Sequence, residues 1–193
     1  MSAVKTVRPL TADRFADLER LFAGKGCGFA GNCWCMSYRL PRGWRAADGV
    51  KPADAKHALM ADLAERGPPP GLIAYDATET PVGWVSVGPR ADFPRLDRSK
   101  VMKAVDDVPA FAVVCFVVPT PHRGQGIAHA LLAAAVDFAR EQGAPAVEGY
   151  PIDKDKRAQS QFLWPGTGGL FRAAGFVELA RREPERPFMR LTF

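Results

Sequence analysis

Apolar positions along the chain follow three different spacings. Phe15, Leu18 and Phe22 recur at helical intervals behind Thr11, a residue type that caps helices, so a first helix is predicted to about Ala23. Pro52 and Gly67, the latter just before Pro68-Pro69-Pro70, bracket a second helix. Leu72–Tyr75 and Val82–Val87 are short apolar runs around the polar turn Asp76–Pro81, the pattern of a hairpin. Val113–Val118 is apolar at every position, which suits a strand buried on both faces of a sheet. It turns through Pro119 and Pro121 into Arg123-Gly124-Gln125-Gly126-Ile127-Ala128 and continues as an Ala/Leu-rich helix to about Gln142. Ile127, Leu131, Ala134, Ala135 and Phe138 share one face of that helix.

A further strand is expected over Ala146–Tyr150 and a short helix over Gly169–Ala174, closed by Gly175. Val177–Arg182 and Phe188–Leu191 read as final strands. Three stretches have no clear period: the Cys/Trp-rich residues 24–50, the Arg-rich residues 88–107, and the charged loop 151–165. The order α-α-β-β-β-α-β-α-β-β predicts an α/β (α+β) fold with a mixed sheet and helices on its faces.

Composition narrows the partners. With 193 residues, 47% of them apolar, the chain suits a single domain over residues 1–193 with a sizeable core. A net charge of +5 fits nucleic acid or a phosphate-rich small ligand. The basic residues are scattered rather than massed, so nucleic-acid binding is not expected. No apolar run is long enough to span a membrane and the N-terminus has no apolar signal core, so a cytoplasmic protein without membrane partners is expected. In that setting Cys27, Cys33, Cys35 and Cys115 are expected as free thiols.

The strand–glycine turn–helix over residues 113–132 is an anion cradle. Glycines let backbone N–H groups approach a ligand, and the helix N-terminus adds partial positive charge. It is not a P-loop, because no Gly-Lys-Ser/Thr follows, nor a dinucleotide fingerprint, because His129 stands where a third glycine or alanine is needed. Arg123-Gly-Gln-Gly-Ile-Ala128, following a strand that ends in Val118, resembles the acyl-CoA signature of the GNAT superfamily of N-acyltransferases, Arg/Gln-x-x-Gly-x-Gly/Ala. Leu170-Phe-Arg-Ala-Ala-Gly-Phe176 is similar to that family's late Leu-Tyr-x-x-x-Gly-Phe.

The resemblance implies a mostly antiparallel sheet flanked by helices, with acetyl-CoA as acyl donor held by a core at residues 108–176. Arg123, Gly124, Gln125, Gly126, Ile127 and Ala128 would hold the pyrophosphate. Phe116 and Val118 would hydrogen-bond the pantetheine arm, and Lys154, Lys156 or Arg157 would meet the 3′-phosphate. Two departures stand out: Phe171 replaces the family's acid-donating tyrosine, and Ala112 falls where some members carry a glutamate. Glu148 as base and Tyr150 as acid are the replacements expected, since alternation puts both on one face.

Residues 24–50 would form an acceptor-side lid, with Trp34, Met36, Tyr38 and Trp84 as an aromatic cage. A zinc site from Cys27, Cys33, Cys35 and a histidine is the weaker reading, because Cys-x-Cys lacks the usual gap, and no metal is expected. The function implied is transfer of an acetyl group to a primary amine of a small molecule by direct attack, in a monomer or homodimer. A non-catalytic acyl-CoA-binding sensor is the alternative.

Overall fold

The computed structural model describes residues 3–154 and 163–193. Seven strands form one sheet in the order β1-β2-β3-β4-β5-β7-β6. They are β1 (Thr6–Pro9), β2 (Gly71–Tyr75), β3 (Pro81–Pro89), β4 (Phe111–Val117), β5 (Ala146–Gly149), β6 (Val177–Glu183) and β7 (Arg186–Thr192). Every neighbouring pair is antiparallel except β4 and β5, which are parallel. The helices are α1 (Phe15–Phe22), α2 (Gly28–Cys33), α3 (Pro52–Arg66), α4 (Pro94–Asp97), α5 (Ile127–Glu141) and α6 (Gly168–Ala173).

The expected elements are present with small boundary shifts, and the structure adds three. Strand β1 extends the sheet by pairing Thr6 with Tyr75 and Pro9 with Leu72. Helices α2 and α4 are single-turn pieces inside two of the stretches without a period.

Helix α5 covers one face of the sheet. Its Ile127, Leu131, Ala135 and Phe138 pack with Val85 and Val113 in the largest core cluster. The opposite face carries α1, α2 and α3 over a second cluster of Leu18, Phe22, Trp34, Met60 and Trp84. Phe93 and Leu96, from the irregular 88–107 connection, cover Ala112, Tyr150 and Phe188 further along that face.

Two irregularities create the site. Strand β4 pairs with β5 only from Phe111 to Val113, opposite Val147 to Gly149, so the strands part company beyond that point. On its other side, Ser86 pairs with Cys115 and Val87 with Val113, which leaves Val114 as an extra residue. A bulge bends a strand and re-aims the side chains after it. Here it sets Cys115 and Val117 on the face of α1–α3, and Phe116 on the face of α5.

Candidate active site

The glycine turn sits at the N-terminus of α5. Gly124 and Gly126 have φ of 75° and 78°, a region that L side chains rarely adopt, and Gly126 is the residue that caps α5. A Cβ built on either glycine would meet nothing within 4 Å, so both open onto free space. His129 and Ala130 N–H donate to the Gly126 carbonyl at 3.0 and 3.1 Å, while helix geometry leaves the N–H groups of Ile127 and Ala128 ahead of them without partners in the helix, and their partial charge favours an anion. The space above them is where a pyrophosphate would fit.

The side chains expected to help hold that anion are committed elsewhere. Arg123 Nε donates to Val118 O at 2.9 Å and Nη2 to Gly26 O at 3.2 Å, bracing the turn against the segment after α1. Gln125 Nε2 donates to Pro121 O at 2.9 Å. The open face of the turn is thus main chain, with the Arg123 guanidinium bound to two carbonyls beside it. Of the basic residues expected at the 3′-phosphate, Lys154 pairs with Glu185 at 2.9 Å, and Lys156 and Arg157 lie outside the described residues.

The pantetheine contacts expected at Phe116 and Val118 also have partners within the chain. Phe116 N donates to Trp164 O at 2.6 Å, and the Val118 carbonyl accepts from Arg123. The start of the 163–166 segment therefore lies along the edge of β4 that β5 has left. Trp164 stays 43% exposed and Tyr38 is half-buried. Sequence reasoning missed Trp164, whose signal was the apolar run Phe162-Leu163-Trp164 at the end of a charged loop.

Glu148 of β5 and Tyr150, the residue just past that strand, meet in a buried hydrogen-bonded cluster. Glu148 is wholly buried, and both its oxygens are used. Oε1 accepts from Arg190 Nη2 at 2.7 Å and Nε at 3.2 Å. Oε2 accepts from Arg90 Nη1 at 2.9 Å and from the Tyr150 hydroxyl at 2.8 Å. A carboxylate with four donors on it has no lone pair left for a substrate proton. Tyr150 is buried and its proton is spent on Glu148; burial first, and then the Glu148 charge, push its pKa well above the ordinary tyrosine value. Arg90 and Arg190 are tied in turn to Asp97 at 2.9 Å and Asp106 at 2.7 Å. Together these residues tie β5, β7 and the 88–107 connection to one another.

Three of the four residues expected in the aromatic cage, Trp34, Met36 and Trp84, are buried. Trp34 packs on Phe22 with ring centroids 5.3 Å apart and meets His57 at 4.5 Å. Trp84 is fully buried and Met36 lies in the same cluster. These three side chains are core, with no face for an acceptor. Tyr38 alone keeps some exposure, and burial raises its pKa.

Phe171 is also core. Its ring occupies the place of a missing Gly149 side chain: a Cβ there would lie 2.0 Å from Phe171 Cε1. Among the described residues, no three His, Cys, Asp or Glu side chains come together as a metal-ligand set, and no helix is long and apolar enough to cross a membrane.

A family model described as the acetyltransferase (GNAT) family matches residues 39–162. The chain belongs to that family. GNAT enzymes take acetyl-CoA as acyl donor, and the open glycine cradle beside the split between β4 and β5 fits such a donor. Solved structures agree on the fold. A ribosomal-protein-alanine N-acetyltransferase from Brucella melitensis shares 18% identity over 98% of this chain and 100% of its own, with a TM-score of 0.54. A putative acetyltransferase from Salmonella typhimurium, solved with its cofactor acetyl-CoA, shares 17% over 97% and 92%, with a TM-score of 0.52. A mosquito arylalkylamine N-acetyltransferase-like protein shares 11% over 97% and 99%, with a TM-score of 0.55. No curated protein matches the chain.

Proposed function

We propose that this GNAT protein transfers the acetyl group of acetyl-CoA to a primary amine of a small molecule by direct attack in a ternary complex. One observation carries the reading: an open, glycine-lined helix N-terminus beside a strand whose edge is released by its neighbour. The first feature suits the pyrophosphate of the donor and the second its extended arm. Ala128 and Ile127 belong to the first turn of α5, so their main chain contributes to the cradle along with Gly124 to Gly126.

With Glu148 locked and Phe171 in the core, no dedicated base or acid is assigned. An ordinary alkyl ammonium has a pKa of about 10.4, so the amine must reach the site neutral or lose its proton to water. The departing CoA thiolate, with a pKa of about 8.5, leaves without an acid's help. The tetrahedral oxyanion needs N–H donors, and Phe116 N–H on the parted edge of β4 becomes one only when the Trp164 carbonyl leaves it.

A small acceptor is favoured over a basic peptide by two partly exposed aromatic residues, Tyr38, packed in the cluster that takes Cys115, and Trp164, whose carbonyl takes the Phe116 N–H. Among proteins of similar fold, one is named for alanine of a ribosomal protein and another for arylalkylamines, so both acceptor classes belong in the test. CoA release is to be followed chromatographically against a panel of alkylamines, arylalkylamines and peptides with free N-termini. Turnover is expected on a small amine. Turnover on peptides alone would overturn the small-molecule assignment. Tight acetyl-CoA binding with no turnover on any amine would favour a sensor, a reading supported by the occupied lone pairs of Glu148.

A further inference from the structure

One guanidinium beside the split between β4 and β5 lacks a counter-charge. Arg90 and Arg190 are each held by two carboxylates, and Arg172 and Arg181 by Asp153. Arg186, the first residue of β7, is half-buried and pairs with no carboxylate among the described residues. Glu183 stands opposite it in the β6–β7 register without an ion pair to it, and Glu185 is taken by Lys154 at 2.9 Å. The Arg186 guanidinium makes one hydrogen bond, from Nη2 to the Tyr150 carbonyl at 3.3 Å. Its Nε is buried and has no partner. A guanidinium carries five N–H donors, and a buried donor left unpaired is costly enough to need a reason.

The place of Arg186 supplies one. Alternation along β7 puts Arg186, Phe188 and Arg190 on one face of the sheet. Phe188 packs there on Tyr150 with ring centroids 5.3 Å apart, in the cluster that also takes Tyr38 and Cys115. Pairing of β4 with β5 ends at Gly149, so Tyr150 is the first residue beyond the split, and Arg186 is fastened to its carbonyl. Residues 164–166 cross the same opening: Trp164 O takes the Phe116 N–H at 2.6 Å and Gly166 O the Ile152 N–H at 3.0 Å. Arg186 therefore stands beside the split, on the side of the sheet away from α5 and its cradle.

The surface nearby has the same sign. Arg95 N–H donates to Tyr38 O at 3.4 Å and its Nε to Leu40 O at 3.1 Å, which ties α4 to the segment after Tyr38. Arg42, Arg45, Arg95 and Arg98 are exposed there with no carboxylate partner among the described residues. The acids closest in the chain, Asp92 and Asp97, are taken by Arg39 and Arg90. Such a field draws anions and repels cations.

We propose that the acceptor is a small amine bearing a carboxylate, such as an amino acid or an aminobenzoate, and that Arg186 binds the carboxylate. The inference rests on the acyl-transfer reading above and narrows its substrate. A guanidinium fork matches a carboxylate in shape and charge, and the unused N–H groups of Arg186 supply the hydrogen bonds. The amine end is then left free to face the split.

Matched acceptors test the proposal on the full chain with acetyl-CoA. Phenylalanine and leucine are each compared with their decarboxylated amines and their amides, and 4-aminobenzoate with aniline, by CoA release. The carboxylate-bearing member of each set should have a kcat/KM about tenfold to a hundredfold higher, the range that hydrogen bonds to a charged group give. In Arg186→Gln the ratio should fall to near one. In Arg186→Lys, which keeps the charge without the fork, it should be intermediate, with melting temperatures checking that both variants are folded. Equal turnover within every set would overturn the proposal, as would an unchanged ratio in folded Arg186→Gln. Binding is read separately, by calorimetry of N-acetylphenylalanine and its amide into the CoA-loaded protein. Preference for the carboxylate that is lost in Arg186→Gln, with no amine acetylated, would sink acyl transfer and keep the carboxylate site. No binding of any carboxylate would sink the site whether or not uncharged amines are acetylated.

Discussion

Replacing Glu148 by glutamine separates a catalytic base from a structural lock. Glu148 is wholly buried between two guanidiniums and a tyrosine hydroxyl, and the amide matches its shape while removing its charge. Breaking a buried ion pair from one side costs about 3–5 kcal/mol, because the partner charge is left uncompensated. Asp97 and Asp106 stay in place to answer Arg90 and Arg190, though they are exposed to 64% and 43%. The cost should therefore fall at the low end, about 3 kcal/mol. For a chain of this size that lowers the melting temperature by roughly 6–12 °C. Two measurements are needed on the same preparation: denaturant unfolding, and the pH dependence of turnover on whichever amine the panel identifies. A lock gives a large loss of stability, with residual turnover whose pH profile keeps the wild-type shape. The reasoning fails if Glu148→Gln unfolds at the wild-type midpoint while turnover collapses and its basic limb disappears.

Three further outcomes follow from the geometry. Gly126→Ala places a Cβ at φ 78° over the open cradle, so about 1–2 kcal/mol of stability and about tenfold in acetyl-CoA affinity should be lost; an unchanged affinity by calorimetry would remove the cradle assignment. Phe171→Tyr puts a hydroxyl into an apolar core beside Gly149 and Phe116, costing about 1–3 kcal/mol with no gain in turnover, whereas faster turnover would show that the ring reaches the leaving thiolate. Asp153 is held by Arg172 and Arg181 with its pKa lowered to about 2, mainly by the hydrogen bonds from those two arginines. A depressed carboxylate pKa adds stability above its unfolded value and loses it as pH falls. Discounted for solvent screening, Asp153→Asn should cost about 1 kcal/mol at neutral pH, and the gap should narrow from about pH 5 to pH 3 in denaturant titrations; a gap independent of pH would exclude the ion pairs as its source.

Much of the fold was legible because its signals are local. Pro52 and Gly67 bracket α3 as expected, and β4, the glycine turn and α5 follow one another as the pattern requires. Strand β1 was missed because Thr-Val-Arg-Pro is four residues long and half polar; it is a strand only because β2 offers an edge to pair with. Helix α2 carries two glycines in six residues, a weak helix former that is held by packing rather than propensity.

The donor and acceptor sides of the site differ in legibility for a physical reason. A ligand held by main chain needs glycine at fixed positions, so the cradle announces itself in one contiguous stretch. Side-chain partners carry no such mark. Glu148 meets Arg90 and Arg190, which stand 58 and 42 residues away, and its neighbours in sequence give no hint of either. Aromatic residues are more ambiguous still, because a core and a binding pocket both use them. Strand β3 is buried at every position except its last, so alternation could not say which face of Trp84 meets solvent; neither does. The aromatic weight of residues 24–50 fastens that segment to the sheet through Trp34, Met36 and the Cys35–Trp84 bond, and partial exposure is left to Tyr38 and Trp164. Because Trp164 also takes the Phe116 N–H with its carbonyl, a donor arm that bonds that group must move the 163–166 segment, so this loop and the donor compete for one edge of β4.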